Sequence, residues 1–349
     1  MKNFRRKTML IGFVCTAAFF TGGCALQNGA NSQTQPVRST DTAMGTIIQQ
    51  TVYAGENGQK VTEDILRQIS DLEKDTLSRR MEDSEIYQIN ASAGAEGGTE
   101  LSKPLQEMLG QCLAVAEASD GAFDITMGSV VELWNIDEWV GMDSEDYELP
   151  TEKAVQNALN NTGYENIILQ DNRIFLPTGM QLDLGAVGKG IALDKICSYL
   201  DGREDVSGAV ISAGGSILTY GKKPDGTSWK VAVVNPLNPA ESIGYLSVEG
   251  GWCVSTSGDY ERYVEKDGVR YHHILDPKTG YPADSGVSSV TILSENGLLS
   301  DALSTACFVL GEEKGSYLAK QYGAEALFVN HEGEIFMTEG MEKYFHLSK

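Results

Sequence analysis

The sequence predicts an α+β domain in which mixed or antiparallel sheets are flanked by helices. Three observations support this prediction. Short strand-like segments alternate with amphipathic helical segments, Gly, Pro or Asn bound the later strands, and no Pro/Ser-rich linker divides residues 46–349. The chain has 349 residues, of which 41% are hydrophobic, so it can bury a full core. We therefore expect one domain from about Thr46 to the end of the sequence, although the length alone would also suit two smaller domains.

The elements follow in chain order. GTIIQQTVYA predicts a strand, and apolar residues at helical spacing from Val61 to Leu72 predict a helix. Ser102 is placed to cap a second helix with Pro in its first turn. Later strands are predicted from ENIILQ, RIFLP, MQLDLG, GAVISAGGSILTYG, WKVAVVNP and SSVTILS.

The first 24 residues are similar to a bacterial lipoprotein signal. Four basic residues precede the apolar run MLIGFVCTAAFF, and TGGC leads into Cys24, although Thr21 stands where Leu is usual. An ordinary secretory signal or an uncleaved anchor stays open as an alternative. We predict a signal peptide at residues 1–23, lipidation of Cys24, for example by palmitate, and a flexible tether over residues 24–41. The predicted location is extracytoplasmic and lipid-anchored to the bacterial membrane.

The charge is strongly acidic. Asp and Glu total 49 against 27 Lys and Arg, a formal net charge of −22. This surface excludes a nucleic-acid partner, because it offers no field that attracts a phosphate backbone. A ligand that carries phosphate must therefore meet a local positive group or a metal ion.

Four cysteines follow Cys24, and each stands alone. They are Cys112, Cys197, Cys253 and Cys307, mostly within apolar runs, and no CxxC pair occurs. The spacing excludes a zinc knuckle or a CxxC redox pair. Buried free thiols are the simpler interpretation, and one disulfide stays open.

A glycine-rich junction lies within MQLDLGAVGKGIALDKICSYL. A strand is expected to end at Asp183–Leu184 and a helix to follow, with Gly185, Gly188 and Gly190 between them. A helix N-terminus binds anions, and Lys189 adds a positive charge there. The segment is neither a P-loop nor a dinucleotide fingerprint, so a plain tight turn is the alternative.

A second candidate lies in LSDALSTACFVLG. Ser300 is placed to cap a helix, and Asp301 and Thr305 then lie one turn apart on one face. A carboxylate and a hydroxyl in this arrangement suit a hard cation such as Mg²⁺. The alternative is a solvated helix start.

The histidines are few, and two of the four are adjacent in YHHILDPKTGYP. Strand alternation puts His272 and His273 on opposite faces, so only one can face a site. A zinc site would lack ligands, whereas a single His near a Ser/Thr-Gly loop suits a general base. A hydrogen-bonded structural histidine is the alternative.

The loop Ala122–Phe123–Asp124 has two interpretations. Its aromatic ring and its acid can bind a ring system, or the aromatic ring can pack in the core.

Together these segments resemble one family. The blocks AMGT, SEIYQIN, DGAFDIT, LDLGAVGKGIALD, SAGGSI, STSGDYER, HILDPKTGYP and DALSTA occur in the order seen in the ApbE family, the FAD:protein FMN transferases. The resemblance covers residues 42–349 and implies an ApbE-like catalytic domain. It also implies Mg²⁺-dependent transfer of FMN from FAD to a Thr or Ser hydroxyl of an extracytoplasmic acceptor flavoprotein, with release of AMP.

The resemblance also implies roles for individual residues. His273 matches the base that takes the proton of the acceptor hydroxyl. The carbonyl of Ala186, with Asp301 and Thr305, matches the Mg²⁺ ligands. The FAD contacts match Met44, Ala122, Phe123, Asp124, Asp183, Lys189 and Ile274.

The chain departs from the family at Arg80, which stands where an aromatic residue usually contacts the flavin. A guanidinium can stack on the flavin ring instead, with altered affinity. Two alternatives to the transferase share the same site. One is a Mg²⁺-dependent FAD pyrophosphatase that yields FMN and AMP, and the other is a non-enzymatic lipoprotein that binds FAD.

Overall fold

The structure is a computed structural model that describes residues 35–142 and 144–348. The predicted signal peptide at residues 1–23 and the lipidation site Cys24 lie outside the described residues. Within them, no helix combines the length and the apolar character needed to cross a membrane.

The described residues form the strands β1 Val37–Ala43, β2 Thr46–Tyr53, β3 Thr99–Glu100, β4 Ile168–Gln170, β5 Arg173–Phe175, β6 Gly208–Ala213, β7 Ser216–Gly221, β8 Trp229–Val234, β9 Ser242–Val248, β10 Trp252–Gly258, β11 Tyr263–Lys266, β12 Val269–His272, β13 Val287–Ser294, β14 Glu325–Asn330, β15 Ile335–Met337 and β16 Phe345–Leu347.

The α-helices of the same residues are α1 Gly58–Leu72, α2 Glu85–Ala91, α3 Lys103–Ala118, α4 Gly128–Trp134, α5 Ile136–Trp139, α6 Glu152–Leu159, α7 Gly188–Asp201, α8 Gly297–Leu310 and α9 Glu312–Gln321. One π-helical turn, Glu73–Leu77, extends α1. As predicted, Ser102 caps α3 by accepting a hydrogen bond from the Leu105 amide.

The largest sheet has eight strands in the order β1-β2-β6-β7-β10-β13-β14-β15. All of its pairings are antiparallel. Smaller sheets have the orders β16-β9-β8, β3-β5-β4 and β11-β12. The predicted α+β class with antiparallel sheets is confirmed.

The large sheet separates two cores because successive side chains of a strand point to opposite faces. On β10, Cys253 packs among α1, α3, α7 and α8, whereas Val254 packs against the β16-β9-β8 sheet. On β13, all eight residues are buried. A third cluster surrounds Trp134 and includes Val264 and Leu275. The site described below is built where this third cluster meets the helical layer.

Three predictions about element boundaries are wrong. The predicted tether over residues 24–41 ends too late, because β1 begins at Val37 and pairs with β2. The expected strand in MQLDLG does not form, since Gln181 makes only an isolated bridge with Met127. Ser300 does not cap a helix, because α8 begins one turn earlier and Asn296 accepts a hydrogen bond from the Leu299 amide.

The four cysteines of the described residues are free thiols. Cys112, Cys253 and Cys307 are buried and Cys197 is partly buried. The prediction of buried free thiols is therefore confirmed for three of them, and no disulfide forms among them.

Candidate active site

One cleft collects almost all of the predicted site residues. It is lined by the 122–124 loop, α4 and α5, the 183–189 segment, the ends of β7 and β10, the 273–277 segment and one face of α8. Of the residues predicted for the base, for FAD and for Mg²⁺, only Met44 is not part of the lining. Their roles stay predictions at this point.

Asp301 is a buried acid of the cleft that is held by three hydrogen bonds. It is 3% exposed, in the second turn of α8. Its Oδ1 accepts hydrogen bonds from the hydroxyls of Ser216 (2.6 Å) and Ser255 (2.5 Å). Its Oδ2 accepts one from the Gly190 amide, at 2.7 Å. The alternative of a solvated helix start is therefore wrong for Asp301, since its side chain is buried and three donors compensate the burial.

The hydrogen bond from the Gly190 amide to Asp301 leaves the Ala186 carbonyl without its usual helical donor. In a regular helix the Gly190 amide would donate to the carbonyl four residues earlier, which is that of Ala186. Here it donates to Asp301 instead, whereas Gly188 N donates to Leu184 O and Ile191 N to Val187 O in the regular helical pattern. The Ala186 carbonyl is therefore left free of the Gly190 amide, at an exposed position beside the cleft.

The predicted ligands fit a hard divalent cation. The Ala186 carbonyl, the Asp301 carboxylate and the Thr305 hydroxyl all line the cleft and supply only oxygen, which is the donor type that Mg²⁺ prefers. A carboxylate has about four lone-pair positions, and three of those of Asp301 are used, so one is left. Among the described residues no group of three or more His, Cys, Asp and Glu side chains could hold a metal.

His273 follows β12 and faces the cleft. Its backbone amide and its ring Nδ1 both approach the Arg262 carbonyl, at 3.0 and 3.2 Å. A carbonyl only accepts, so Nδ1 carries the hydrogen and Nε2 has a free lone pair. Burial, with the positive charges of Arg262 and Lys189, holds the pKa of His273 well below its usual value. The ring is therefore neutral at neutral pH, as a proton acceptor must be.

His272 has the opposite tautomer and the opposite face, as strand alternation predicts. Its Nε2 donates to the Ala283 carbonyl at 3.0 Å, and its Nδ1 accepts from the Ile274 amide at 3.3 Å. The ring packs edge-on against Phe308 at 5.5 Å between centroids. His272 is thus a buried structural histidine whose two nitrogens are both satisfied.

We expect His272 to make stability depend on pH. Burial lowers the pKa of His272 to about 4. Between pH ~6.5 and pH ~4 the His272 ring is therefore protonated in the unfolded chain and neutral in the folded chain. The contribution of His272 to the free energy of unfolding should fall as the pH drops from ~6.5 to ~4, by about 1.4 kcal/mol per pH unit and about 3 kcal/mol in total. Urea unfolding of the wild type and His272→Gln between pH 4 and 7.5 measures this.

His272→Gln keeps a donor for Ala283 and removes the titration. The stability difference between the two chains should therefore shrink as the pH falls. Parallel curves would show that His272 does not titrate as proposed.

The turn after His273 is anchored by Trp134. Its indole Nε1 donates to the Gly280 carbonyl at 2.7 Å. The same ring stacks on Tyr271 and meets Tyr281 edge-on, with centroids 5.8 and 5.6 Å apart. Lys278 adds an ion pair with Asp120, at 2.6 Å, beside the 122–124 loop. These contacts fix the residues on both sides of His273.

The 122–124 loop has both of the roles that its sequence left open. Phe123 is 2% exposed and belongs to the helical core, while the loop also lines the cleft. Asp124 accepts from the amide and hydroxyl of Thr126, at 2.7 and 2.6 Å, and from the Tyr164 amide at 3.1 Å. Burial raises the pKa of Asp124, and these bonds counteract the rise.

Asp183 is paired with Arg79 through a 2.8 Å ion pair. The neighbouring Arg80 makes only a 3.7 Å contact with Glu138, and both side chains are more than half exposed. Such an exposed pair contributes little to stability, so the Arg80 guanidinium is available at the edge of the cleft.

Met44 does not line the cleft. It forms the tight β1–β2 turn with Gly45, at φ +52°, and its methyl group lies against Gly188.

Several residues of the cleft are not predicted from the sequence. Glu261 follows β10, where burial raises its pKa while Lys189 and Arg262 counteract the rise. Arg262 pairs with Asp137 at 2.8 Å. The block STSGDYER pointed to this loop, but only the fold brings it beside Lys189 and Asp301.

Comparison with known proteins gives consistent matches. The ApbE family model matches residues 44–328. The chain is 31% identical over 351 residues to an FAD:protein FMN transferase of Treponema pallidum, covering 95% of this chain and 93% of that protein. It is 34% identical over 270 residues to an FAD:protein FMN transferase of Klebsiella pneumoniae, covering 76% and 81%.

Solved structures are similar over nearly the whole described chain. A crystal structure of the ApbE protein of Thermotoga maritima superposes with a TM-score of 0.80 at 34% identity, covering 89% of this chain and 100% of that one. The apo flavinyl transferase ApbE of Pseudomonas stutzeri gives 0.75 at 28% identity, covering 90% and 98%.

Proposed function

Since the chain belongs to the ApbE family, we propose that it transfers FMN from FAD to a Thr or Ser hydroxyl of an acceptor flavoprotein and releases AMP. The observation that carries the proposal is one cleft that holds both a neutral His273 with a free Nε2 and the oxygen donors Ala186, Asp301 and Thr305. Relatives with the name FAD:protein FMN transferase support it.

The residues of the cleft suit this reaction. His273 accepts the proton of the acceptor hydroxyl while that oxygen bonds to the FMN phosphorus. The bond between that phosphorus and the bridging oxygen of the pyrophosphate breaks, and AMP leaves with the bridging oxygen. Because a hydroxyl is a poor nucleophile at neutral pH, a positioned base speeds this step.

The charge of the cleft supports the proposal that a metal ion takes part. Five acids line it, namely Asp124, Asp137, Asp183, Glu261 and Asp301, against the three cations Arg80, Lys189 and Arg262. This balance repels a pyrophosphate. Mg²⁺, when held by Ala186, Asp301 and Thr305, supplies charge neutralisation for the leaving AMP and the transferred phosphoryl group. Lys189, in the first turn of α7, adds to the attraction for phosphate.

The test incubates the full chain in detergent with FAD, Mg²⁺ and an acceptor domain. The control is the same domain with valine at the acceptor threonine. Mass spectrometry should show the acceptor heavier by one FMN, with equimolar AMP, and no modification of the valine variant. Equal release of AMP and FMN without acceptor would identify a pyrophosphatase. Bound FAD with neither product would identify a carrier.

We also propose an extracytoplasmic place of action, with the chain anchored to the membrane by a lipid on Cys24. The support is the sequence of residues 1–24. Cell fractionation tests it: Cys24→Ser should move the chain out of the membrane fraction. Retention of that variant in the membrane at the wild-type level would argue against lipidation of Cys24.

Arg80 should tune FAD affinity. Its exposed guanidinium is available to stack on the flavin ring, so Arg80→Ala should weaken FAD binding by about 2- to 5-fold, the range expected for an exposed cation–π contact. Flavin fluorescence titration measures the affinity. Glu138→Gln is the matched control, since it breaks the 3.7 Å contact and keeps the guanidinium. Equal affinities of the wild type and Arg80→Ala would exclude this contact.

A further inference from the structure

Helices α7 and α8 cross at two glycines. A side-chain carbon on Gly190 would overlap the Gly297 carbonyl, and one on Gly297 would overlap the Gly190 carbonyl. The two backbones therefore touch directly, and the first turns of both helices lie against each other.

Two carboxylates, one from each helix, accept hydrogen bonds from backbone amides of the other helix. Asp301 of α8 accepts from the Gly190 amide of α7 at 2.7 Å. Asp194 of α7 accepts from the Gly297 and Leu298 amides of α8, at 2.6 and 2.8 Å. Each helix thus supplies an acid to the unpaired amides of the other. We call this arrangement of Gly190, Asp194, Gly297 and Asp301 the reciprocal clasp.

Asp194 is not the only side chain that accepts from the first turn of α8. That helix has its own cap in Asn296, whose side chain accepts from the Leu299 amide at 2.8 Å. Asp194 also lies outside the residues that line the cleft. Its two bonds therefore act on the position of α8 relative to α7.

We propose that Asp194 is a positioning residue that holds two metal-binding oxygens in place through the reciprocal clasp. The proposal rests on the proposed Mg²⁺ site. If α8 shifts away from α7, Asp301 loses the Gly190 amide. That amide is then free to donate to the Ala186 carbonyl, as in a regular helix. One movement would thus displace the Asp301 carboxylate and occupy the Ala186 carbonyl.

The test compares Mn²⁺ binding to the full chain without FAD, by electron paramagnetic resonance, in the wild type and in Asp194→Asn. The amide replaces one acceptor oxygen by a donor that faces an N–H. We expect Mn²⁺ affinity to fall by about 10- to 100-fold, as when a group that orients a metal ligand is lost. FAD affinity without metal should stay unchanged. The Mg²⁺ concentration for half-maximal transfer should rise, with the rate at saturating Mg²⁺ close to that of the wild type.

Two further variants make the test specific. Asn296→Ala removes the local cap of α8 and leaves the clasp, so Mn²⁺ affinity should not change. Gly297→Ala keeps every carboxylate but wedges the helices apart, so Mn²⁺ affinity should fall as in Asp194→Asn.

The outcomes separate the two proposals. Equal losses in Asn296→Ala and Asp194→Asn would mean that only helix stability matters, and would overturn the positioning role. Wild-type affinity in both Asp194→Asn and Gly297→Ala would also overturn it. A wild-type chain that binds no Mn²⁺ would instead remove the proposed metal site.

Discussion

Replacing Asp301 with asparagine is expected to lower flavin transfer by roughly 10³-fold, the upper range for loss of one electrostatic stabiliser of a transition state. The substitution removes the only carboxylate among the proposed Mg²⁺ ligands. A cleft with more acids than cations then lacks the charge that would neutralise the pyrophosphate during transfer. The measurement is acceptor flavinylation and AMP release over a range of Mg²⁺ concentrations.

Asparagine is preferred to alanine because of the three bonds to Asp301. Alanine would leave the Gly190 amide and the Ser216 and Ser255 hydroxyls without their acceptor. Each buried donor left unpaired costs about 1–3 kcal/mol, so lost activity could reflect lost folding. Asparagine keeps one acceptor oxygen for the two serines. We expect it to fold with reduced stability, which thermal unfolding measures.

Ser216→Ala is the matched control for Asp301→Asn. It removes one hydrogen bond to the carboxylate and leaves the charge, so transfer should fall by less than ~10-fold, the size of one net hydrogen bond. Transfer by Asp301→Asn within that same range at saturating Mg²⁺ would remove Asp301 from the metal site.

The sequence predicted those features that depend on local spacing. Strand alternation separated His272 from His273, and the structure gives the two rings opposite faces and opposite tautomers. Helical spacing put Asp301 and Thr305 on one face of α8, and both line the cleft. These predictions succeed because a strand or helix determines which neighbours share a face.

The burial of Asp301 could not be predicted in this way. An acid at the start of an apolar helix ordinarily faces water. Here its partners Ser255, Ser216 and Gly190 are 46, 85 and 111 residues away along the chain. Such contacts follow from strand order and helix crossing, which local periodicity does not contain.

The predicted boundary between the tether and the domain was also wrong because it depends on a pairing partner that is distant along the chain. VRSTDTA has few apolar residues, so the composition of residues 37–41 is typical of a polar tether. The segment is an edge strand, paired with β2 on one side only. Edge strands often carry charged or polar side chains, which oppose pairing with other chains, and every second residue of β1 is exposed. The pairing partner, rather than the composition of the segment, makes it a strand.

His273→Asn is expected to slow transfer by about 10²- to 10⁴-fold, the usual contribution of a general base, and to leave FAD affinity unchanged. The asparagine amide can replace the ring Nδ1–H as a donor to the Arg262 carbonyl. It has nothing in place of Nε2, so the variant removes the proton acceptor and keeps the hydrogen bond to the Arg262 carbonyl. Single-turnover flavinylation measures the step, and His272→Gln is the control that should retain activity.

The pH dependence of transfer by the wild type distinguishes His273 from a histidine of ordinary pKa. Because burial, Arg262 and Lys189 lower its pKa well below 6.5, the base stays neutral as the pH falls, and protonation begins only below that lowered pKa. Transfer should therefore hold nearly constant from pH 8 to pH 6, where a base of pKa ~6.5 would already lose most of its neutral form. A tenfold fall per pH unit that begins at pH 6.5, or undiminished transfer in His273→Asn, would assign the proton to another group.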